Sequence, residues 1–366
     1  MNSSDHVFDP TALAGAPTSG GGGGGSGDGG GSVDGGAPER ELENTLRPES
    51  LEDFVGQPRA VGNLNVAIRA ATARGESLDH TLLSGPPGLG KTSLARILSR
   101  ELGTKMHAAT GPGLERPRDL VGLLTQLKAG DVFFIDEIHR VPASVEEYLY
   151  TAMEDFQVDI TLDQGPHARI LPLKLEPFTL VGATTREGLL SAPFRSRFGL
   201  FERLAPYPTE DLVRILTRSA RLLDIGLEEP AAERLAGRCR GTPRIANRFL
   251  RRARDLAQVG GHASISDALA HEALERMGID EHGLEEMDRN VLRCLARAAG
   301  EPMGLKTIAA AVDENEDTIE DVFEPHLLRC GFMQKTARGR RITRTGCAAI
   351  GIDPDQSSDS QRALFS

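Results

Sequence analysis

The chain has 366 residues, 39% of them hydrophobic, and a formal net charge of −11 at pH 7. That length suits two or three domains with packed cores, and no apolar run approaches a membrane span. The acidic balance argues against nucleic acid at first sight, yet a whole-surface average does not exclude a local basic face.

Residues 1–40 are dominated by Gly, Ser, Ala and Asp, with glycine nearly continuous over 20–36. Such a segment cannot bury enough apolar surface to offset its chain entropy, so a disordered tail is expected. Neither a basic n-region nor an apolar h-region opens the chain, so no secretory signal is expected. Order is expected from about Glu41, and up to residue 207 β-type apolar runs alternate with helical patterns. The runs at 81–83, 132–135 and 178–181 read as buried strands, which implies a mainly parallel sheet covered on both faces.

Residues 85–92 read Gly-Pro-Pro-Gly-Leu-Gly-Lys-Thr, a complete G-x-x-x-x-G-K-T phosphate loop. It follows the first strand and opens a helix near Lys91, with Leu94, Ile97, Leu98 and Leu102 on one face. Gly85, Gly88 and Gly90 let backbone N–H groups turn toward a phosphate at the positive end of that helix. Lys91 would reach the β- and γ-phosphates of ATP, and the Thr92 hydroxyl would hold Mg²⁺. The strand at 132–135 ends in Asp136 and Glu137. Alone these could be solvated acids; after a phosphate loop, Asp136 suits the Mg²⁺ shell and Glu137 the polarisation of the attacking water.

The third strand leads to Thr185, which reads equally as a residue orienting the lytic water or as a threonine capping a loop. Arg195 and Arg197 follow Pro193; such arginines usually only solvate, but in a ring-forming ATPase one here can reach a neighbour's γ-phosphate. Residues 208–278 look helical, with Thr209 capping one helix and Thr242-Pro243 starting another. Arg244, just inside the latter, is either a second phosphate contact in cis or a salt-bridged helix residue.

Helical stretches at 288–299, 305–312 and 317–330 precede two short runs, 332–336 and 341–345, joined by a turn-like Ala337-Arg338-Gly339-Arg340. That is the order of a winged helix over 281–350, with a flexible tail at 351–366. Pro325 falls inside the third helix, where it would kink or split it. Two windows are locally basic: Arg244, Arg248, Arg251, Arg252 and Arg254, and then Arg329, Lys335, Arg338, Arg340, Arg341 and Arg344 without an acid among them. Cys239, Cys294, Cys330 and Cys347 lack C-x-x-C spacing and read as reduced thiols of a cytosolic protein rather than a metal site.

Several segments together resemble the RuvB family, the AAA+ motors that drive branch migration of Holliday junctions. They are Leu46-Arg47-Pro48, Phe54-Val55-Gly56-Gln57, the loop at 85–92, DEIHR at 136–140 and Ala152-Met153-Glu154-Asp155, with GATTR at 182–186, GTPRIANR at 241–248 and TIEDV at 318–322. The resemblance spans about 42–345. It implies an α/β AAA+ P-loop ATPase domain (41–207), a small helical lid (208–278) and a C-terminal winged-helix domain that binds DNA.

The resemblance also implies roles. Leu46, Arg47, Glu154, Asp155, Phe156 and Tyr207 match adenine-side contacts, and Gly88, Gly90, Lys91, Thr92 and Ser93 match phosphate contacts. Thr185 matches sensor 1, Arg197 the trans-acting arginine finger and Arg244 sensor 2. Lys335 and Arg340 match the DNA-contacting positions of the wing. A hairpin at about 158–175 would dock on the partner RuvA through Ile160, Leu162, Ile170, Leu171 and Leu173. The family further implies a homo-hexameric ring, RuvC in the resolving complex, duplex arms of junction DNA as substrate, and a cytoplasmic location. Two positions depart from the pattern: Ala337 stands where the family commonly has Pro, and Glu316 where many members are basic. A clamp-loader-like ATPase would share the core without needing the wing, and a non-hydrolysing nucleotide-switched regulator is the alternative from another class.

Overall fold

A computed structural model describes residues 45–161, 170–298 and 300–353. The expected tail at 1–40, residues 354–366 of the second tail, Leu162 and the side chain of Ile170 lie outside the described residues.

Helix α1 (Pro58–Arg74) leads to β1 (Thr81–Ser84), α2 (Lys91–Glu101), β2 (Met106–Thr110), α3 (Pro117–Leu124), β3 (Val132–Asp136) and α4 (Ala143–Glu154). The strands β4 (Gln157–Thr161) and β5 (Ile170–Lys174) form a separate antiparallel hairpin. Then come β6 (Thr179–Thr184), α5 (Ala192–Arg195) and β7 (Leu200–Arg203). The main sheet is five-stranded and parallel, in the order β2-β3-β6-β1-β7.

Alternation along the strands serves two cores, because successive side chains point to opposite faces. Val132 and Phe134 enter one apolar cluster while Phe133 and Ile135 enter the other; Leu83 and Leu82 of β1 divide the same way. This explains why the strands read as unbroken apolar runs. The expected buried strands are found, and β2 and β7 join them at the edges. Those two escape a hydrophobicity reading because they are only partly buried.

Helices α6 (Thr209–Leu222), α7 (Glu229–Arg238), α8 (Pro243–Val259) and α9 (Asp267–Arg276) follow, with a two-residue parallel pairing of β8 (Gly226–Leu227) and β9 (Ser264–Ile265). Thr209 is the first residue of α6 rather than its cap, because Pro208 already occupies the cap position. The apolar cluster on the α1–α2 side of the sheet runs on into these helices through Leu204, Tyr207, Leu212 and Leu216.

The last segment has its own core, built from Val291, Leu292, Leu295, Ile308, Ile319, Leu327 and Phe332. It comprises α10 (Glu286–Arg297), α11 (Leu305–Val312), α12 (Glu316–Thr318), a π-helical turn Ile319–Phe323, α13 (Glu324–Arg329), the antiparallel pair β10 (Met333–Thr336) and β11 (Gly339–Ile342), and α14 (Arg344–Ala349). Pro325 does split the expected third helix. It sits in the first turn of α13, where its missing N–H costs least, and the wide π turn takes up the break just before it. The wing's turn is shorter than expected, only Ala337-Arg338. Gly339 already pairs in β11 at φ 140, and a Cβ there would meet the Met303 carbonyl oxygen at 2.3 Å. Among the described residues no helix is long and apolar enough to cross a membrane.

The helical segment is fastened to the winged helix by buried charge. Arg240 donates to the Gly283 carbonyl at 3.0 Å and to Asp288 at 2.6 Å, and Arg329 donates back to the Arg240 carbonyl at 2.5 Å. His326, in the same junction, is pushed down to about 4 from its ordinary 6.5, by burial first and then by Arg240 and Arg329. The neutral ring therefore supports the fold fully above about 6.5. As pH falls toward 4 the unfolded chain takes up a proton that the folded chain refuses, and stability drops by up to ~3 kcal/mol. Urea unfolding at pH 7 and pH 4.5 should show the parent losing more stability on acidification than His326→Gln; equal losses would contradict this account.

Candidate active site

Strand register assembles the site. Ser84 pairs with Thr184, Ile135 with Gly182, and the Gly85 N–H donates to the Thr184 carbonyl at 3.1 Å. The phosphate loop, the acid pair and the end of β6 therefore lie side by side at the C-terminal edge of the sheet. This is where ligands bind in open parallel sheets.

The loop's glycines are required by space as well as by conformation. Gly88 has φ 77, and a Cβ on it would come within 2.7 Å of Thr242 and 3.1 Å of Arg244. The start of α8 thus lies directly over the loop, which brings Arg244 to the phosphate side. A Cβ on Gly90, at φ 102, would meet the Phe54 ring at 3.1 Å, and the Tyr207 hydroxyl donates to the Leu89 carbonyl at 3.2 Å. Gln57 clamps the opposite side, donating to the Ala205 carbonyl at 2.6 Å and accepting from the Ala205 N–H at 3.1 Å. Leu46 is buried, and the carbonyls of Leu46 and Arg47 accept from Arg218 of α6 at 3.0 and 3.5 Å.

Lys91 donates to the carbonyls of Gly85 and Pro86 at 2.7 and 2.9 Å, folding back over its own loop. Burial pushes its pKa down, opposed by the charges of Asp136 and Glu137. Thr92 and Ser93 follow it, half-buried in the first turn of α2. The loop's cradle would be filled by any added side chain, and the donor set nearby is a hydroxyl and a carboxylate. Both fit a Mg²⁺–nucleotide, since Mg²⁺ prefers hard oxygen ligands.

Glu137 sits just past β3 with left-handed backbone, φ 52, an uncommon state for a non-glycine residue that re-aims its side chain. Its N–H donates to Asp136 at 3.0 Å. His139, nearly buried, lies between Glu137 and β6: its Nε2 is 3.4 Å from Glu137, and its Nδ1 is 3.0 Å from the Thr184 hydroxyl. That hydroxyl already accepts from the Arg186 N–H at 3.0 Å. The Glu137 carboxylate only accepts, so the ring proton sits on Nε2, facing it, and Nδ1 accepts from the Thr184 hydroxyl. Burial lowers the His139 pKa and keeps the ring neutral. Thr185, the next residue, is half-buried at the same edge.

The remaining candidates group elsewhere. Leu200 at the start of β7 pairs with Thr81 at the start of β1, so Arg197 lies at the N-terminal end of the sheet, a strand's length from its own phosphate loop. It stacks on the Tyr150 ring, 4.4 Å from the centroid, and donates to Glu154 at 3.0 Å and the Pro193 carbonyl at 2.7 Å. Glu154, Asp155 and Phe156 belong to this end too, because His80 beside β1 contacts the Met153 carbonyl at 3.0 Å and the Phe156 ring. The structure does not bring these three to the chain's own nucleotide loop.

Three family models match consecutive stretches of the chain: the Holliday junction DNA helicase RuvB P-loop domain at 46–204, the RuvB AAA lid domain at 207–280 and the RuvB C-terminal winged helix domain at 281–351. The chain belongs to the RuvB family. The Holliday junction branch migration complex subunit RuvB of Chlorobium luteolum is 55% identical over 330 residues, covering 90% of this chain and 95% of that protein. Its Myxococcus xanthus counterpart is 56% identical over 303 residues, 82% of this chain and 88% of that protein. The Thermotoga maritima RuvB Holliday junction branch migration motor superposes with a TM-score of 0.78 at 45% identity, covering 84% of this chain and 99% of that one. The fold class and family expected from the sequence both hold, and the site is the nucleotide site of a P-loop ATPase.

At the wing of this RuvB-family chain, Lys335 and Arg340 are cross-strand partners, but their surroundings differ. Lys335 is exposed and donates to Glu320 at 2.9 Å. Arg340 is only 8% exposed, paired with the buried Glu324 and with Glu320 at 3.3 Å. The resemblance implied a DNA contact for each; the acids of the π turn and α13 bury one of them. On the β4–β5 hairpin Leu171 is exposed, Ile160 and Leu173 are half-buried, and Val158 is in the core. Sequence reasoning assigned no role to His139, Arg186 or Tyr150. The first two lay inside the quoted DEIHR and GATTR segments, which was the available signal.

Proposed function

We propose that the chain is the ATP-hydrolysing motor subunit of a branch-migration complex acting on Holliday junctions. Residues 41–207 are its ATPase core, 208–278 its lid and 281–350 its DNA-binding head. The observation that carries this is the meeting of the phosphate loop, Asp136–Glu137 and the β6 end at one sheet edge, in a chain that also carries a winged helix.

In this reading Lys91 and Arg244 bind the phosphates, while Leu46, Arg47 and Tyr207 flank the base. Thr92 and Asp136 hold Mg²⁺, which neutralises phosphate charge. Glu137 takes the proton of the attacking water, held in aim by His139, and Thr185 senses the γ-phosphate. Arg197 serves the neighbouring subunit's site, with Glu154, Asp155 and Phe156 on that same face. This makes a ring obligatory, and a homo-hexamer is the family's arrangement. The hairpin docks RuvA through Leu171 and its neighbours Ile160 and Leu173, and RuvC joins the resolving complex. Hydrolysis tilts the lid against the core and moves the wing along duplex arms. Lys335 contacts phosphates without reading bases, as a motor that crosses any sequence requires. The site of action is the cytoplasm.

A branch-migration assay on a synthetic four-way junction, with RuvA, ATP and Mg²⁺, tests substrate, partner and energy source together. Junction dissociation that needs all three is the expected result. ATP turnover indifferent to both DNA and RuvA would instead favour a nucleotide-switched regulator.

A further inference from the structure

The end of β6 is tied to the wing by a chain of contacts that crosses from the ATPase core to the winged helix. Arg186, two residues beyond Thr184, donates from Nε to Asp321 at 2.7 Å and from Nη2 to Asp317 at 3.1 Å. Its Nη2 also lies 3.9 Å from Glu320. These contacts join residues 131 and 135 positions apart in the sequence, so neither local geometry nor helix propensity accounts for them. The acids come from α12 and the π turn, and π turns occur frequently at functional sites. Asp317 and Asp321, four apart, present one face to Arg186, while Glu320 spans both sides. Its other oxygen accepts from Lys335 at 2.9 Å and from Arg340 at 3.3 Å.

On the opposite side, the Arg186 N–H holds the Thr184 hydroxyl that orients His139 toward Glu137. The sequence of contacts is continuous: Glu137, His139, Thr184, Arg186, the acids 317, 320 and 321, then Lys335. Hydrogen bonds and ion pairs carry it from the hydrolytic carboxylate to the wing's exposed cation, the Thr184–Arg186 link running through the Arg186 backbone N–H. Its guanidinium is held by the acids and its backbone N–H by Thr184, so its place is that of a link. Hydrogen-bond partners explain its guanidinium's raised pKa, Asp321 foremost.

We propose that Arg186 is a positioning residue through which the acidic turn at 317–321 couples occupancy of the wing by DNA to the aim of Glu137. The coupling rests on the reading of Glu137 as the base and the wing as the DNA contact. A DNA phosphate that takes Lys335 competes with Glu320 for the same ammonium. Glu320, released from the wing, turns its charge to Arg186, and the shift in Arg186 passes through the Thr184 hydroxyl to His139. Glu320 holds Lys335 and lies beside Arg186 at once, so the paired wing and the arrangement at Arg186 stabilise each other. Coupling between two sites through one bistable contact is reciprocal, so ATP in the site should also change how tightly the wing holds DNA.

The test uses the full chain with ATP, Mg²⁺ and junction DNA at saturation, comparing the parent with Asp317→Asn/Asp321→Asn. Neither substituted acid belongs to the nucleotide or DNA machinery, and both are partly or largely exposed, so folding should survive. The ratio of DNA-stimulated to DNA-free kcat should fall about fivefold, the low end of measured coupling between sites. The DNA-free kcat itself should stay close to the parent's. Saturating DNA removes affinity changes from the comparison. A merely structural contact would lower both rates by one factor and leave the ratio alone. Arg186→Lys, which keeps the charge, should retain more of the ratio than Arg186→Gln. An unchanged ratio in the double variant, beside a parent that responds to DNA, would overturn the relay alone. A parent whose turnover ignores junction DNA would overturn both the relay and the proposed function.

Discussion

Glu137→Gln is expected to lower kcat for ATP hydrolysis by about 10²- to 10⁴-fold, the usual worth of a positioned general base, while nucleotide binding stays near the parent's. The amide keeps the size of the carboxylate and can still accept from the His139 Nε2–H, so the left-handed turn and its partners need not move. What it lacks is the ability to take a proton from water. Binding should survive because the proposed phosphate contacts belong to other groups: Lys91 in its loop, and Arg244 over Gly88. Steady-state phosphate release and a fluorescent-nucleotide titration on the same preparation separate the two effects. Branch migration should stop with hydrolysis. A variant that binds ATP and turns it over at the parent's rate would remove Glu137 from the chemistry.

The parts of this site that were legible in the sequence are those that a single local segment carries. A phosphate loop works through contiguous backbone, so its eight residues announce both the conformation and the ligand. The strand that delivers Asp136 and Glu137 is visible because both of its faces are buried, which writes an unbroken apolar run. Contacts between segments left no such mark. His139 meets Thr184 only because β3 and β6 are neighbours in the sheet, although the whole β4–β5 hairpin separates them in the chain. The window ending at Arg344 is basic and without an acid along the sequence. Glu320 and Glu324, outside that window, fold against it and bury Arg340. Charge counted along a sequence misses acids that arrive from another element. The same limit applies to Glu154: its adenine-side match gave no sign that it would pair with Arg197, 43 residues away and at the far end of the sheet from the loop.

That geometry makes the strongest claim about assembly. Arg197→Ala is expected to lower turnover by about 10³- to 10⁵-fold, the range measured for arginine fingers, and to do so from a neighbouring subunit. Within one chain the guanidinium cannot reach the phosphates: the loop follows the last residue of β1, and Arg197 precedes the strand whose first residue pairs with the first of β1. It is nevertheless held ready. The Tyr150 ring, Glu154 and the Pro193 carbonyl fix its direction, and its buried Nε has no partner among the described residues, a polar atom left for something the isolated chain does not supply. A finger acting in trans has a consequence that a cis residue cannot imitate. Arg197→Ala and Glu137→Gln should each be nearly inactive alone, but in mixed rings some interfaces join an intact Glu137 from the first to an intact Arg197 from the second. Mixing the two variants should therefore restore ATP turnover at those interfaces, up to about a quarter of parental activity for random pairing of independent sites, against components lowered at least about a hundredfold. If the mixture is no more active than its components, while both variants still assemble with the parent, Arg197 acts within its own chain and the shared-site arrangement is wrong.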